Sequence, residues 1–127
     1  MNSPTILELL DKQYELQKKL GTAEISGPNA IRNIQAMQVE CVEALNELDW
    51  KWWPHKTPMH DREAFVSEMV DVLQFWLNAM NALGVGISEF NTAWETNMQK
   101  FEERHGAKQL GLFIEDPDTS VPSTFED

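Results

Sequence analysis

Residues 61–83 carry the pattern that most restricts the fold of this chain, because two apolar stripes run side by side along it at helical spacing. The first stripe is Phe65, Met69, Val72, Trp76, Met80 and Leu83, and the second is Val66, Val70, Leu73 and Leu77. A helix that is apolar over most of its circumference is typical of a bundle interior. We therefore predict a buried central helix that Asp61 caps and that ends near Leu83.

Two helices are predicted before this segment. The first runs from about Ser3 to Leu20, with Ser3 as its N-cap, Pro4 in its first position and Gly21 as its stop. After the loop at residues 21–27, a second helix opens at Pro28 and runs to about Lys51, with apolar residues recurring at helical spacing. Both helices need a hydrophobic partner surface, which the central helix offers.

A fourth helix and a tail complete the chain. Pro54 and Pro58 break the second helix, and Ser88 then caps a fourth helix that ends near Arg104, with Gly106 as its stop. Residues 109–127 contain two prolines and several acids, which predicts an irregular tail after a domain of residues 1–108. No strand pattern is present, so the predicted class is all-α, a bundle of four to five helices.

The size and composition predict self-association. A chain of 127 residues fits one domain with a modest core. It carries 5 Trp, 6 Phe and 6 Met, a large apolar load for this length. We expect part of that load to pack against another subunit, so that oligomerisation completes the bundle.

The net charge and the single cysteine exclude several classes. A formal net charge of −11 argues against a nucleic acid polymer as partner, because phosphate contacts need clustered cations, although a bound divalent cation can reverse the sign locally. One cysteine, Cys41, allows neither a disulfide framework within the chain nor a Cys-rich zinc site. Without a leader pattern or a membrane-length apolar run, the expected location is the cytoplasm, with no membrane partner.

The acidic residues carry the chemical signal. Glu40, Glu43 and Glu47 lie at i, i+3 and i+7 on the second helix, and Glu68 and Asp71 lie at i and i+3 on the central helix. Acidic residues on the second helix alone fit a solvated helix surface as well as they fit a metal site. A carboxylate pair on a largely apolar helix instead needs a compensating cation or hydrogen-bond donors. Mg²⁺ takes carboxylates, waters and substrate phosphates as ligands, so two facing acidic helices predict a magnesium site.

Two rival metal sites fit the sequence less well. A di-iron bundle needs two ExxH elements, and only Glu102 to His105 has that spacing. Zinc is disfavoured further, since the three histidines, His55, His60 and His105, show no usual ligand spacing.

The same residues resemble the all-α NTP pyrophosphatases, the superfamily of dimeric dUTPases and MazG-type enzymes, whose signature is ExxE followed by ExxD. The run from Glu40 to Trp53 with Lys56 resembles the dimeric dUTPase motif of two Glu, Asn-Glu, aromatic-Lys-x-Trp and Lys. Residues 68–75 resemble the second motif, with Gln74 where that family usually has His. Residues 97–104 look more like MazG-type enzymes, where Lys-Phe-x-x-Arg is common. These departures leave the base preference open.

The resemblance implies a bundle of the MazG-like or dimeric dUTPase type that forms a dimer or tetramer. It implies hydrolysis of a dNTP to dNMP and pyrophosphate with Mg²⁺, or Mn²⁺ as a substitute. The leading substrate is dUTP, and house-cleaning activity on dCTP, dGTP or several nucleotides is the alternative. The implied metal ligands are Glu40, Glu43, Glu68 and Asp71. Glu40 is the expected catalytic base, and Glu47 is a second catalytic candidate as ligand or ligand-orienting residue.

Six residues are expected to bind substrate. Gln13 resembles a Gln that reads uracil, with Gln17 as the alternative, although ordinary exposure fits a helical Gln equally well. Asn78 continues the Glu68–Asp71 face and is a candidate for sugar contact or for a bond within the bundle. The phosphate candidates are Lys56, Lys100 and Arg104, and Asn97, one turn earlier on the same face, is a candidate for contact with ribose or phosphate. The alternative for Lys100 and Arg104 is an ordinary surface pair whose charge is balanced by Glu102 and Glu103.

The remaining polar and aromatic features have simpler interpretations. We expect at least two of Trp50, Trp52 and Trp53 to pack in a core or subunit interface, and one can stack on a base. Cys41 is interpreted as a packed thiol rather than a nucleophile. A hypothesis of a different class also remains: a non-catalytic helical binding module, which predicts no stabilisation by Mg²⁺.

Overall fold

In a computed structural model, the chain is described for residues 3–51 and 60–109, with side chains described as far as Gly106. These residues form four α-helices and no strand, which confirms the all-α prediction. The helices are α1 (Ile6–Leu20), α2 (Gly27–Asn46), α3 (Arg62–Ala82) and α4 (Ile87–Gln109). No helix in the described part of the chain is long and apolar enough to cross a bilayer.

Helix α1 begins later than predicted. Its N-cap is Thr5 rather than Ser3, and Pro4 lies before the cap. The Thr5 hydroxyl accepts a hydrogen bond from the Glu8 backbone N–H at 3.2 Å and donates to the Glu8 carboxylate. This Thr-x-x-Glu pairing satisfies an otherwise orphaned donor, and it explains the later start. Gly21 ends the helix in the left-handed conformation, as predicted.

Helix α2 begins at Gly27, one residue before the predicted Pro28, and ends early. Ser26 caps its first turn by accepting from the Asn29 N–H at 3.2 Å. The helix ends at Asn46, five residues before the predicted Lys51. The cause lies in the turn that follows, where Asp49 has a φ of 45°, a left-handed conformation that Asp tolerates but that a helix cannot continue through.

For α3 the predicted cap is confirmed, whereas for α4 the predicted end is wrong. Asp61 caps α3 by accepting from the Ala64 N–H at 3.0 Å, as predicted, and the helix ends at Ala82 with Leu83 as its C-cap, within one residue of the predicted end. Helix α4, in contrast, passes through Gly106 and continues to Gln109, so the predicted stop is wrong. A glycine costs a helix only about 1 kcal/mol against alanine, which does not force an end. The predicted tail from residue 110 lies outside the described residues.

The chain divides into two compact units, residues 1–87 and 88–127. In the first unit α3 packs extensively against α2 and also contacts α1. The core of this unit is small, and its buried apolar residues are Leu10, Ala30, Ala44, Leu77 and Ala82. In the second unit α4 is the described element.

Helix α3 is not buried all round, which corrects the prediction of a fully buried central helix. Along its second stripe Leu77 is buried, whereas Val66, Val70 and Leu73 are exposed. The reason is that α1 and α2, the helices that pack on α3 within the first unit, cannot cover every side of an apolar cylinder. Met69 and Leu83 of the first stripe are exposed as well.

Candidate metal centre

Helices α2 and α3 lie antiparallel, and this brings their acidic residues to the same level. The Asp61 N–H donates to the Glu47 carbonyl at 3.2 Å, so the start of α3 lies beside the end of α2. Moving back along α2 and forward along α3 then leads to Glu40 opposite Glu68 and Asp71. Ala44, one turn from Glu40, is buried and has a side chain small enough for close helix packing.

Three carboxylates converge at this level. One oxygen from each of Glu40, Glu68 and Asp71 lies within 4.8 Å of the other two, and all three residues are half-buried. The Oε2 atoms of Glu40 and Glu68 are buried and have no hydrogen-bond donor in the described part of the chain. Two acceptors that face each other without a donor are costly unless a proton or a cation lies between them.

The acidity of Glu40 reflects this crowding. Its pKa is raised from 4.5 to about 7, first by the hydrogen bond that its protonated form can donate to Glu68, then by burial and by the neighbouring Glu43. The proton is therefore retained near neutral pH because ionisation would place two negative charges in contact. A divalent cation would relieve the same repulsion.

The donor set suits a hard cation. All three converging groups are carboxylates, which are the ligands that Mg²⁺ prefers, and soft or nitrogen ligands are absent from this described cluster. Two oxygens on one Mg²⁺ lie at most about 4.2 Å apart, so rotations of the flexible glutamate side chains suffice to close the cluster. The two donorless buried oxygens are thus consistent with the predicted ion.

The other two predicted acids, Glu43 and Glu47, lie outside the group of three carboxylates. Glu43 is exposed, although its carboxylate is close enough to raise the pKa of Glu40. Glu47 is half-buried and forms the C-cap of α2, where its carbonyl group accepts from Asp61. Neither belongs to the group of three.

The predicted amide residues are buried in the first unit. Gln13 on α1 is 7% exposed and Asn78 on α3 is 6% exposed, so Gln13 is not the ordinary solvent-exposed glutamine that its sequence context allowed. The Oδ1 atom of Asn78 has no hydrogen-bond donor in the described residues. Gln17, the alternative to Gln13, lies at the edge of the same helix and pairs with the Thr22 hydroxyl.

Two of the three predicted phosphate-binding cations lie on α4, together with Asn97. Asn97, Lys100 and Arg104 line one open pocket together with Phe101, as their helical spacing predicts. All four side chains are exposed. The third predicted cation, Lys56, lies outside the described residues, as do Trp52 and Trp53.

Two sequence interpretations of α2 are corrected or refined. Cys41 is exposed, which corrects its interpretation as a packed thiol. It follows Glu40 by one residue, and one residue turns an α-helix by about 100°, so its side chain points away from the face that carries Glu40. Trp50 is 43% exposed, and its indole N–H donates to the Asn46 amide oxygen at 3.1 Å. That bond anchors the tryptophan to the end of α2.

Sequence reasoning missed a small pocket of about 10 Å³ between α1, the loop after it and α3. Tyr14, Asn29, Asn78 and Asn81 are among the residues that line it. The available signal was the pair Asn78 and Asn81 at i and i+3, two amides on a helix that is otherwise mostly apolar.

Together these features define a class: an all-α protein in which two antiparallel helices hold a carboxylate cluster suited to a divalent cation. The sequence model of the family described as dUTPase matches residues 5–123, so the chain belongs to the dUTPase family. Membership supports a nucleotide pyrophosphatase type of hydrolase and a nucleotide substrate, in agreement with the resemblance seen in the sequence. Comparisons with curated proteins and with solved structures gave no match.

Proposed function

We propose that the protein is a Mg²⁺-dependent pyrophosphohydrolase that cleaves a dNTP to dNMP and pyrophosphate, with dUTP as its preferred substrate. The observation that carries the proposal is the convergence of Glu40, Glu68 and Asp71, with two buried oxygens that have no donor. Family membership supports the nucleotide as the ligand, and the carboxylate-only donor set supports Mg²⁺, with Mn²⁺ as a substitute.

The residue roles follow from position and chemistry. Glu40, Glu68 and Asp71 would hold the cation, with Glu43 completing the set after a side-chain rotation. The ion would supply charge neutralisation for the phosphates. Glu40 is the proposed general base because it is one of the converging carboxylates, and Glu47 is the second candidate for orienting water.

Cations on α4 are proposed to hold the phosphate chain. Lys100 and Arg104 share one pocket with Asn97, an arrangement that suits several phosphate oxygens at once. Lys56 remains a proposed phosphate ligand on sequence grounds, and Gln13 remains the proposed reader of uracil.

A substrate panel tests the proposal. Each of the four common dNTPs and dUTP is incubated with the protein and Mg²⁺, and the release of dNMP and pyrophosphate is measured. The proposal expects fastest turnover of dUTP and none after chelation of the metal. Fastest turnover of dCTP or dGTP would favour the MazG-like house-cleaning alternative. A folded protein that hydrolyses none of them and is not stabilised by Mg²⁺ would favour the non-catalytic binding module.

The stabilising effect of Mg²⁺ should increase with pH. Since the pKa of Glu40 is raised to about 7, its stabilising contribution in the metal-free protein is complete below about pH 4.5 and is lost as the pH rises through 7. The cation competes with that proton, so the rise in Tm produced by Mg²⁺ should be larger at pH 8 than at pH 6. Differential scanning fluorimetry measures this rise in Tm. A rise of equal size at both pH values would contradict the proposal that Mg²⁺ replaces the proton on Glu40.

We further propose that a second copy of the chain covers the exposed stripe of α3. Val66, Val70 and Leu73 present contiguous apolar surface opposite the carboxylate face, which a solitary chain leaves in water. Such surfaces on a small domain with a limited core are typical of subunit interfaces.

The variant Val70→Glu should therefore dissociate the oligomer, since it buries an unpaired charge in the proposed interface. Size-exclusion chromatography with light scattering should show a monomer mass. Ser67→Glu, which adds the same charge on the same helix at an exposed polar position, should leave the mass unchanged. A wild-type protein that is already monomeric would refute the proposed interface.

A further inference from the structure

A side-chain hydrogen bond joins α3 to α1 at the level of Leu10. The Nδ2 group of Asn81 donates to the Leu10 backbone carbonyl at 3.0 Å, although the two residues are 71 positions apart in the sequence. Within α1 the same carbonyl serves the Tyr14 N–H, as in any α-helix. The bond from Asn81 therefore uses a second lone pair that α1 does not need in order to be helical. Its effect is to fix where α1 lies on α3.

The apolar contact beside this bond is small. The buried residues of α1 are Leu10 and Gln13, which are 3% and 7% exposed and lie one turn apart. Leu7 and Leu16, which a larger interface would cover, are both exposed. A helix that buries so few apolar side chains is weakly held by packing alone. The hydrogen bond from Asn81 is therefore important for the position of α1.

Gln13 depends on α1 for its own position. It lies three residues after Leu10, about 4.5 Å further along the helix axis and on the same face. Its side chain makes no hydrogen bond with the other described residues, whereas the Gln17 amide oxygen accepts from the Thr22 hydroxyl. A movement of α1 along α3 would consequently carry the Gln13 amide with it over the same distance.

We infer that Asn81 is a positioning residue for base recognition, whose bond to the Leu10 carbonyl sets where the Gln13 amide meets the base. This inference rests on the proposed function, in which Gln13 reads uracil. Uracil and cytosine differ by a donor and an acceptor on the edge that an amide can pair with, so discrimination requires an accurately placed amide. A misplacement of about 1 Å can cost roughly 100-fold in rate.

Asn81 lies away from the carboxylate cluster. It follows Asp71 by ten residues, which is about 15 Å along the axis of α3. The three converging carboxylates belong to α2 and α3, and α1 contributes none of them. Loss of the Asn81 bond should therefore change the base preference and leave Mg²⁺ binding intact. A general loss of stability would not separate the two properties in this way.

The test measures kcat/KM for dUTP and dCTP in the wild type and in Asn81→Leu, which keeps the side-chain volume and removes the donor. The ratio of the two values should fall by roughly 10-fold or more. The change should come mainly from a higher KM for the preferred nucleotide, because base contacts are made in the ground state and the transition state alike. Asn81→Gln keeps an amide donor and should retain more of the preference. The rise in Tm produced by Mg²⁺ should match the wild type in both variants.

Asn33→Leu is the matched control. Asn33 is also half-buried, and its Nδ2 group donates to the Asn29 backbone carbonyl at 2.8 Å, within α2. Its replacement removes the same kind of bond without touching α1, so it should leave the base preference unchanged. A double-mutant cycle then tests the route of the effect. Gln13→Leu should lower the preference, and adding Asn81→Leu should lower it no further, because Asn81 acts through Gln13.

Three results would overturn the inference while the proposed reaction stands. The first is a base preference that Asn81→Leu keeps, or that Asn33→Leu loses to the same extent. The second is a further loss of preference when Asn81→Leu is added to Gln13→Leu. The third is equal turnover of dUTP and dCTP by the wild type. If the wild type hydrolyses no dNTP at all, the proposed function fails and the inference fails with it.

Discussion

Replacing Glu68 by glutamine should reduce kcat/KM for the preferred nucleotide by more than about 100-fold, the upper end of the loss seen when residues that merely support metal ligands are changed. Glu68 has a buried oxygen without a donor and faces Glu40 within the three-carboxylate group. The variant keeps the shape of the side chain but removes one negative charge from the proposed ion. Steady-state kinetics with saturating Mg²⁺ measure the loss.

The same variant should be more stable than the wild type in the absence of metal. The glutamine N–H group can donate to the Glu40 carboxylate, which converts a repulsive contact into a hydrogen bond. Its Tm at pH 8 without metal should therefore rise, and the further rise on adding Mg²⁺ should disappear. Glu63→Gln removes an equal charge from the exposed first turn of α3 and should change neither activity nor the metal response appreciably. A stable Glu68→Gln enzyme with normal activity would contradict the assigned role.

Replacing Arg104 by glutamine should lower kcat/KM by roughly 30-fold or more, which corresponds to about 2 kcal/mol, the low end for truncating one partner of a hydrogen-bonded charge pair. Arg104 lines the α4 pocket with Lys100 and Asn97, and its exposure means that the free protein does not need it for packing. The Tm of the metal-free variant should accordingly match the wild type.

Arg104→Lys should restore little of the loss, because a lysine cannot reproduce the two parallel N–H groups of a guanidinium. Arg62→Gln, which removes an exposed arginine at the start of α3, is the matched control and should retain wild-type kinetics. Equal kinetics in Arg104→Gln and Arg62→Gln would show that the α4 pocket does not bind phosphate.

Local sequence signals predicted the helix ends that depend on one strong interaction. Asp61 caps α3 and Gly21 ends α1, because an acceptor side chain and a left-handed glycine satisfy orphaned backbone groups directly. The errors arose where signals compete or are weak. Thr5 prevailed over Ser3 through its pairing with Glu8, and Gly106 lacks the left-handed geometry that would make it a stop.

The carboxylate cluster was predictable because helical periodicity fixes which side chains share a face. Spacing placed Glu40, Glu43 and Glu47 on one face and Glu68 and Asp71 on another, and the family resemblance then implied which of them are ligands. Periodicity did not exclude Glu43, which immediately precedes the buried Ala44 and is turned away from it by about 100°. A three-residue spacing places a side chain near a face, and only packing decides whether it lies at the centre or the edge.

The environment of α3 was harder to predict for a different reason. An apolar pattern reports how much surface must be covered but not which molecule covers it. The sequence therefore predicted burial of Val66, Val70 and Leu73, which the isolated chain leaves exposed. The orphaned Asn78 oxygen was likewise invisible in the sequence, since it depends on Asn29 and Asn81 donating elsewhere.

The most direct test of the carboxylate cluster is a titration of the purified protein with Mn²⁺ at pH 8, followed by electron paramagnetic resonance of the free ion. Bound Mn²⁺ loses its sharp solution signal, so the measurement counts ions without requiring a substrate. We expect saturable binding that Mg²⁺ displaces and that Glu68→Gln abolishes. Unsaturable weak binding that is the same in the wild type and in Glu68→Gln would contradict the account.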